Sequence, residues 1–518
     1  MRLNSAILLV SLLPLAAAGC GTAPGANDPD GAPPCDGAST CAGDPIPESV
    51  CLEHLAAGRA MDGCGVFVND PVLGGDDANP GTKDRPVTSL PRGIELARTE
   101  RGRVFLTRNA FVEPIMLPSG VDIYGGFDFL EWERLREVEE PVYGMAKLTA
   151  PVGQIPLTLE PARAGDTGAA DGVSIIDHVF VRSPMHIGML VRSGAAVEII
   201  GSWIEAGYAS GGGDGEKWPW PNQAARGPDG QYGGDACSAA TVPGGARAVN
   251  SCEGGIPSIG GRGGDGLPDG ASAGEDGQPV SLAQPTYGRG GDGDVPGVHC
   301  ERGQVALHGD PGAVGASGKG RGRIDETGWH GDRAGDGGRG TPGQGGGGGG
   351  GRRGGLAVCG VASKGGAGGG SGGAGGCGGR GGQGGENGQP SIGIVALHAT
   401  VTVRDSTITS YDGGPGGDGG EPEHGGKGGR GASGGAVGDG TWSCGGSDGG
   451  LGGDGGYGGP GRGGDSIGIA YLDEERLTLE GVTFELGLPG PGGNSWEWSG
   501  NVITGEDGIA VETLRFPE

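Results

Sequence analysis

Apolar positions recur along this chain in short bursts separated by tight bends. Ile187-Gly188-Met189 is followed ten residues on by Val197 and seventeen on by Ile204. Ile392-Gly393-Ile394 is followed nine on by Val401 and sixteen on by Ile408. Ile467-Gly468-Ile469 is followed ten on by Leu477 and seventeen on by Phe484. Each unit holds two or three short strands and cannot bury its own apolar face, so copies must stack. Stacked coils of this size predict an all-β chain built as a parallel β-helix.

The stretch 66–210 has the β-branched and aromatic density of an ordinary core. Thr88 to Arg101 predicts a capping helix with Leu90, Ile94 and Ala97 on one face. Arg103-Val-Phe-Leu, Pro114-Ile-Met-Leu and Val121-Asp-Ile-Tyr predict short strands between turns. Further coils are expected at 391–412 and 466–518.

The phrase running from Ser391-Ile-Gly-Ile-Val to Ser406-Thr-Ile-Thr resembles the coils of right-handed pectate-lyase-like β-helix proteins. Gly75-Asp-Asp-Ala-Asn-Pro-Gly, followed by a helix, resembles the entry to that fold in extracellular proteins of unknown function. Val121-Asp-Ile-Tyr-Gly-Gly-Phe-Asp resembles lipoproteins of predatory soil bacteria. The resemblance implies a right-handed, single-stranded parallel β-helix; it implies no activity.

All three units exit into glycine, after Ser210, Asp412 and Leu488, with Gly-rich insertions at 211–390 and 413–465. Across 331–390 more than half of the positions are Gly, locally with period three as in Gly372-Gly-Ala-Gly-Gly-Cys-Gly-Gly-Arg. A three-residue period fits an extended three-fold helix in which every third side chain points the same way. That predicts a polyglycine-II-like packing, similar to the Gly-Gly-X bundles of some antifreeze and mycobacterial Gly-rich surface proteins. A solvated, disordered loop is the other reading, because Gly loses the most entropy on ordering.

Composition sharpens the picture. Of 518 residues, 129 are Gly and 36 Pro, which excludes one ordinary globular core from end to end. Gly is not strictly every third residue, which excludes collagen. The net charge of −28 argues against nucleic acid and against anionic membrane surfaces as partners.

The N-terminus predicts export. A basic Met1-Arg2 precedes an apolar run, Ala6 to Leu15, too short to span a bilayer. Ala16-Ala17-Ala18-Gly19-Cys20 resembles the lipobox of bacterial lipoproteins, with 1–20 as signal peptide and Cys20 as the acylated residue. The usual Leu three before the Cys is Ala17 here, so simple cleavage after Ala18 is the alternative. Gly21 in place of Asp implies the outer membrane or cell surface, with the membrane touched only through the lipid. Residues 21–47 read as a tether. Lipidation would leave ten cysteines in an oxidising compartment: Cys35, Cys41, Cys51, Cys64, Cys237, Cys252, Cys300, Cys359, Cys377 and Cys444. Cys51 and Cys64 fall in a Cys-rich segment at 48–65. With no CxxC pair, disulfides are expected rather than a zinc knuckle.

Candidate chemistry is sparse. The Asn-Thr-Asp and Arg-His-Gly motifs of polygalacturonase-like β-helices are missing, Asp76-Asp77 lies before the first coil, and Arg404-Asp405 reads as a solvated pair. No catalytic residue is assigned. His178 and His186 read as a surface pair rather than metal ligands. Gly264-Asp265-Gly266 and Gly291-Asp292-Gly293-Asp294 suggest weak calcium association without a dedicated metal site or other cofactor. Trp218, Trp220, Trp496 and Trp498 are loop aromatics suited to stacking on sugars. The expected function is non-catalytic: a structural, adhesive or polysaccharide-binding surface lipoprotein, with extracellular polysaccharide or surface matrix as partner. The alternative is a diverged polysaccharide lyase or glycoside hydrolase, which would place three or more carboxylates within about 5 Å on one face.

Overall fold

The computed structural model describes residues 46–518 except 101, 135–140, 163–171, 220–221, 439 and 518. The chain is predominantly β. Most of its strands belong to three parallel sheets, of seven, six and six strands. Consecutive strands fall in the three sheets in rotation: Arg103–Thr107 in the first, Ala110–Val112 in the second, Ile115–Pro118 in the third, then Asp122–Phe127 in the first again.

The recurring apolar triplets are direct neighbours in these sheets. Ile187 pairs with Ile392 and Ile392 with Ile467 in the third sheet. Val197, Val401 and Leu477 align in the first sheet, and Ile204, Ile408 and Phe484 in the second. The long insertion at 211–390 therefore leaves the register of the coils untouched.

Inward side chains from all three sheets make one core, including Ile123, Val197, Ile204, Ile394 and Val401. Helix Leu90–Glu100 closes its N-terminal end through Leu90, Ile94 and Ala97, all buried. Third-sheet strands such as Ser391–Ala396 are buried on both faces. Their outer face carries a second cluster, Ile187, Ile392 and Ile467, covered by Ile324 and Trp329 of the hairpin Arg323–Asp325/Gly328–His330. On the outside of the first sheet, Phe67, Phe105, Phe127 and Trp132 pack edge to face beneath helix Glu48–Ala56. Nothing in the sequence pattern announces this helix or the small hairpins.

The glycine segments are ordered. They leave at the corner between the second and third sheets, after Trp203–Glu205, Thr407–Ser410 and Thr483–Leu486. They run back and forth as extended passes that hydrogen-bond at every third residue. Gly340, Gly343, Gly346 and Gly349 donate to Gly379, Gly376, Gly373 and Gly370, each at 2.9 Å, in an antiparallel pair. The pass 373–388 also lies parallel to 447–462: Gly373, Gly376 and Gly379 donate to Ser447, Gly450 and Gly453, and the offset stays constant as far as Gly388 and Arg462. That ladder continues to Ser391 and Asp465 and runs into the sheet pair Ser391–Ser466 without a break in register. A third neighbour donates into the same pass through Gly426 to Cys377 and Gly429 to Ala374.

One register change interrupts this order. Gly212 and Gly215 donate to Pro415 and Asp418, whereas Ala224 and Gly227 donate to His424 and Lys427. From Gly215 to Ala224 the chain takes three triplets, while from Asp418 to His424 its partner takes only two. One triplet is therefore looped out around Trp218.

Close packing on several sides explains Gly-Gly-X. A Cβ would lie 1.8 Å from the Gly340 carbonyl oxygen at Gly378 and 1.9 Å from that of Glu423 at Gly379. Only the third position has room for a side chain. Three disulfides tie the passes together: Cys237–Cys359, Cys252–Cys377 and Cys300–Cys444. Cys51–Cys64 closes the turn after the first helix. Cys20, Cys35 and Cys41 lie outside the described residues.

Candidate ligand-binding surface

Third-position side chains line the rim of the glycine bundle, and many do one job. A pass at the rim lacks a backbone acceptor on one side, and a polar side chain of its neighbour supplies it. Asp448 Oδ1 accepts the Gly431 N–H at 2.8 Å, and Asp454 Oδ1 the Gly425 N–H at 2.7 Å. Asp336 does so for Gly384 and Asp265 for Gly244. Burying an unmade backbone donor is costly, so these contacts account for many of the Gly-Asp steps. Asp265, suggested above for calcium, is thus occupied by an N–H and by Arg262. Among the described residues no three of His, Cys, Asp and Glu are grouped so as to hold a metal ion.

The same period builds an aromatic cluster. Tyr457 follows Asp454 by one triplet, and the hairpin Asn494–Trp496/Val502–Thr504 folds over it. Trp498 lies 5.2 Å from the Tyr457 ring, Trp496 lies 6.3 Å from it, and His424 lies 6.2 Å from Trp498. Trp498 Nε1–H donates to the Gly455 carbonyl at 3.0 Å, which fixes its orientation. Trp496 and Trp498 remain 38 % and 39 % exposed. Partial burial, reinforced by the Glu421 and Asp454 carboxylates, pushes the Tyr457 phenol above its ordinary value. Tyr457 and His424 escaped sequence reasoning; their spacing from Asp454 and Lys427 was the available signal.

Trp218 stands apart from this group. Its Nε1–H donates to Gly381 at 3.1 Å, and the Arg380 guanidinium sits 4.8 Å over its ring. Arg380 also meets Glu423 at 3.6 Å, so Trp218 is held inside a charged contact. Trp220 lies outside the described residues.

The remaining residues have structural partners. Asp77 accepts the Thr88 and Ser89 N–H groups at the start of the capping helix. Those bonds hold its carboxyl below the usual range despite the opposing effect of burial. Arg404 bridges Glu198 and, at 2.9 Å, Glu480 across neighbouring strands. The histidine reading needs correction. His178 faces Asp177 at 2.6 Å on the surface, but His186 is only partly exposed and its Nδ1 has no partner among the described residues. A bend before a strand looks exposed in sequence, yet this one is bonded to the next coil, where the Ile392 N–H donates to the His186 carbonyl.

Compared with known proteins, the chain matches no family model, no curated protein and no solved structure.

Proposed function

We propose that this chain is a non-catalytic, surface-anchored lipoprotein with a structural or adhesive role that binds extracellular polysaccharide. Its three sheets would be the faces of a right-handed single-stranded β-helix, the hand that parallel crossovers strongly favour. Its glycine passes would form a polyglycine-II-like bundle held beyond the membrane by acylated Cys20. The observation that carries the reading is the half-exposed cluster Tyr457, Trp496 and Trp498. Partly exposed aromatic faces, with Trp498 fixed at one edge by its bond to Gly455, suit stacking on sugar rings. A bundle bonded through its backbone holds such rings rigidly, so little side-chain entropy is lost on binding.

The test is sedimentation of the full chain with insoluble cellulose, chitin and xylan. Binding to at least one, lost in Trp496→Ala/Trp498→Ala with the fold intact, supports the reading. Equal binding by the double variant and the parent sinks it.

A further inference from the structure

The row of rim acceptors is interrupted between Asp448 and Asp454. In the pass containing Asp448 and Asp454, the residue midway, one triplet from each, is Leu451. Asp448 and Asp454 accept from Gly431 and Gly425. The residue midway between those two donors is Gly428, and a leucine cannot accept from it. Among the described residues the Gly428 N–H has no hydrogen-bond partner. Gly428 lines an open cavity of about 1010 Å³, shared with Leu451, Lys427, Arg430, His308 and Tyr287.

Two cationic side chains beside this gap are uncommitted. Lys427 and Arg430 make no ion pair among the described residues, although the chain carries a net charge of −28. The carboxylates in the same lining each have one oxygen engaged: Asp229 Oδ1 by Arg226 and the Arg430 N–H, Asp448 Oδ1 by the Gly431 N–H. His308 Nδ1 accepts the Leu451 N–H at 2.9 Å, which leaves its proton on Nε2 as a further donor. Lys427 and Arg430 are one triplet apart, so they leave the pass on one side about 9 Å apart at about 3.1 Å per residue. Such a row suits a polymer with repeated negative charges, and Tyr287, 39 % exposed, supplies a ring for stacking.

We infer that this groove is a binding site for an acidic polysaccharide, one of whose carboxylates takes the place of the missing aspartate at Gly428, between Lys427 and Arg430. The ligand class rests on the polysaccharide-binding reading above, while the site uses different residues from the aromatic cluster.

The experiment is isothermal titration of the full, oxidised chain at low salt with polygalacturonate and with its neutral methyl ester. The parent should bind polygalacturonate and discriminate against the ester. Leu451→Asp supplies the acceptor from within and should weaken polygalacturonate binding about tenfold or more without loss of thermal stability. Lys427→Gln/Arg430→Gln should weaken it comparably and flatten its dependence on salt. Undiminished binding by both variants overturns the groove, and the general reading then stands on the tryptophan variants. A parent that binds neither polymer here and none of the insoluble polysaccharides above overturns both.

Discussion

Arg462 Nη2 donates to Asp465 Oδ1 at 2.7 Å where the glycine bundle becomes sheet, and the two side chains are only 6 % and 2 % exposed. Asp465 also accepts the Ile509 N–H at 2.8 Å, and Arg462 donates to the Gly463 carbonyl at 2.9 Å. Arg321 approaches Asp465 at 3.4 Å. The end of one pass, Arg321 and the residue before strand Ala510–Arg515 thus converge on one buried ion pair.

Breaking that pair strands a buried guanidinium. Asp465→Ala should lower stability by about 3–5 kcal/mol, because an unpaired buried charge is far costlier than the pair is favourable. Arg462→Met/Asp465→Leu should recover much of the loss. Urea unfolding midpoints measure both; equal midpoints for the single and double variants would refute the account.

Glycine at inward positions is a steric requirement. Gly378→Ala places its Cβ 1.8 Å from a carbonyl oxygen of the next pass and should cost about 3 kcal/mol. Gln383→Ala, at an outward position of the same pass, should change stability by less than about 0.5 kcal/mol. Thermal melts of the two variants should separate clearly.

The bundle contains little that packs by apolar burial, so its cross-links matter. Its three disulfides join residues 122, 125 and 144 apart. Loop closure of that length is worth about 4–5 kcal/mol each in the chain-entropy model. Reduction should therefore speed hydrogen exchange across 242–265 and 300–318 well before it affects Val197 or Ile204 in the coils. Uniform acceleration would show instead that the two regions unfold as one.

Acid should destabilise the coils through His186. Burial lowers its pKa from the ordinary 6.5, so the folded chain binds fewer protons there than the unfolded one. Stability should be highest above that value and decline as pH falls from about 6.5 toward the lowered folded value. His186→Leu should flatten the decline below about pH 6.5, read as melting temperature against pH.

Much of the coil architecture was legible in sequence, because a unit unable to bury its own face must repeat. Ile187, Ile392 and Ile467 announced three aligned strands, and Leu90, Ile94 and Ala97 announced a helix. The period of three in the glycine segments was equally plain. Whether those segments order was not, since that depends on how many neighbours each pass meets. A backbone donor and a side-chain acceptor 29 residues apart, such as the Gly425 N–H and Asp454, leave no local pattern, so the acceptor role of the aspartates stayed hidden. The pairing of Cys237 with Cys359 and the meeting of Tyr457 with Trp498 are invisible for the same reason.

The looped-out triplet beside Trp218 bears on how such a chain can change. Passes that recognise one another through backbone alone stay in phase when a whole triplet is gained or lost. A change of one or two positions would instead turn every later side chain into a carbonyl. Nine-nucleotide insertions and deletions are thus the natural currency of variation in these segments, and the excursion at Trp218 has the form of one already accommodated.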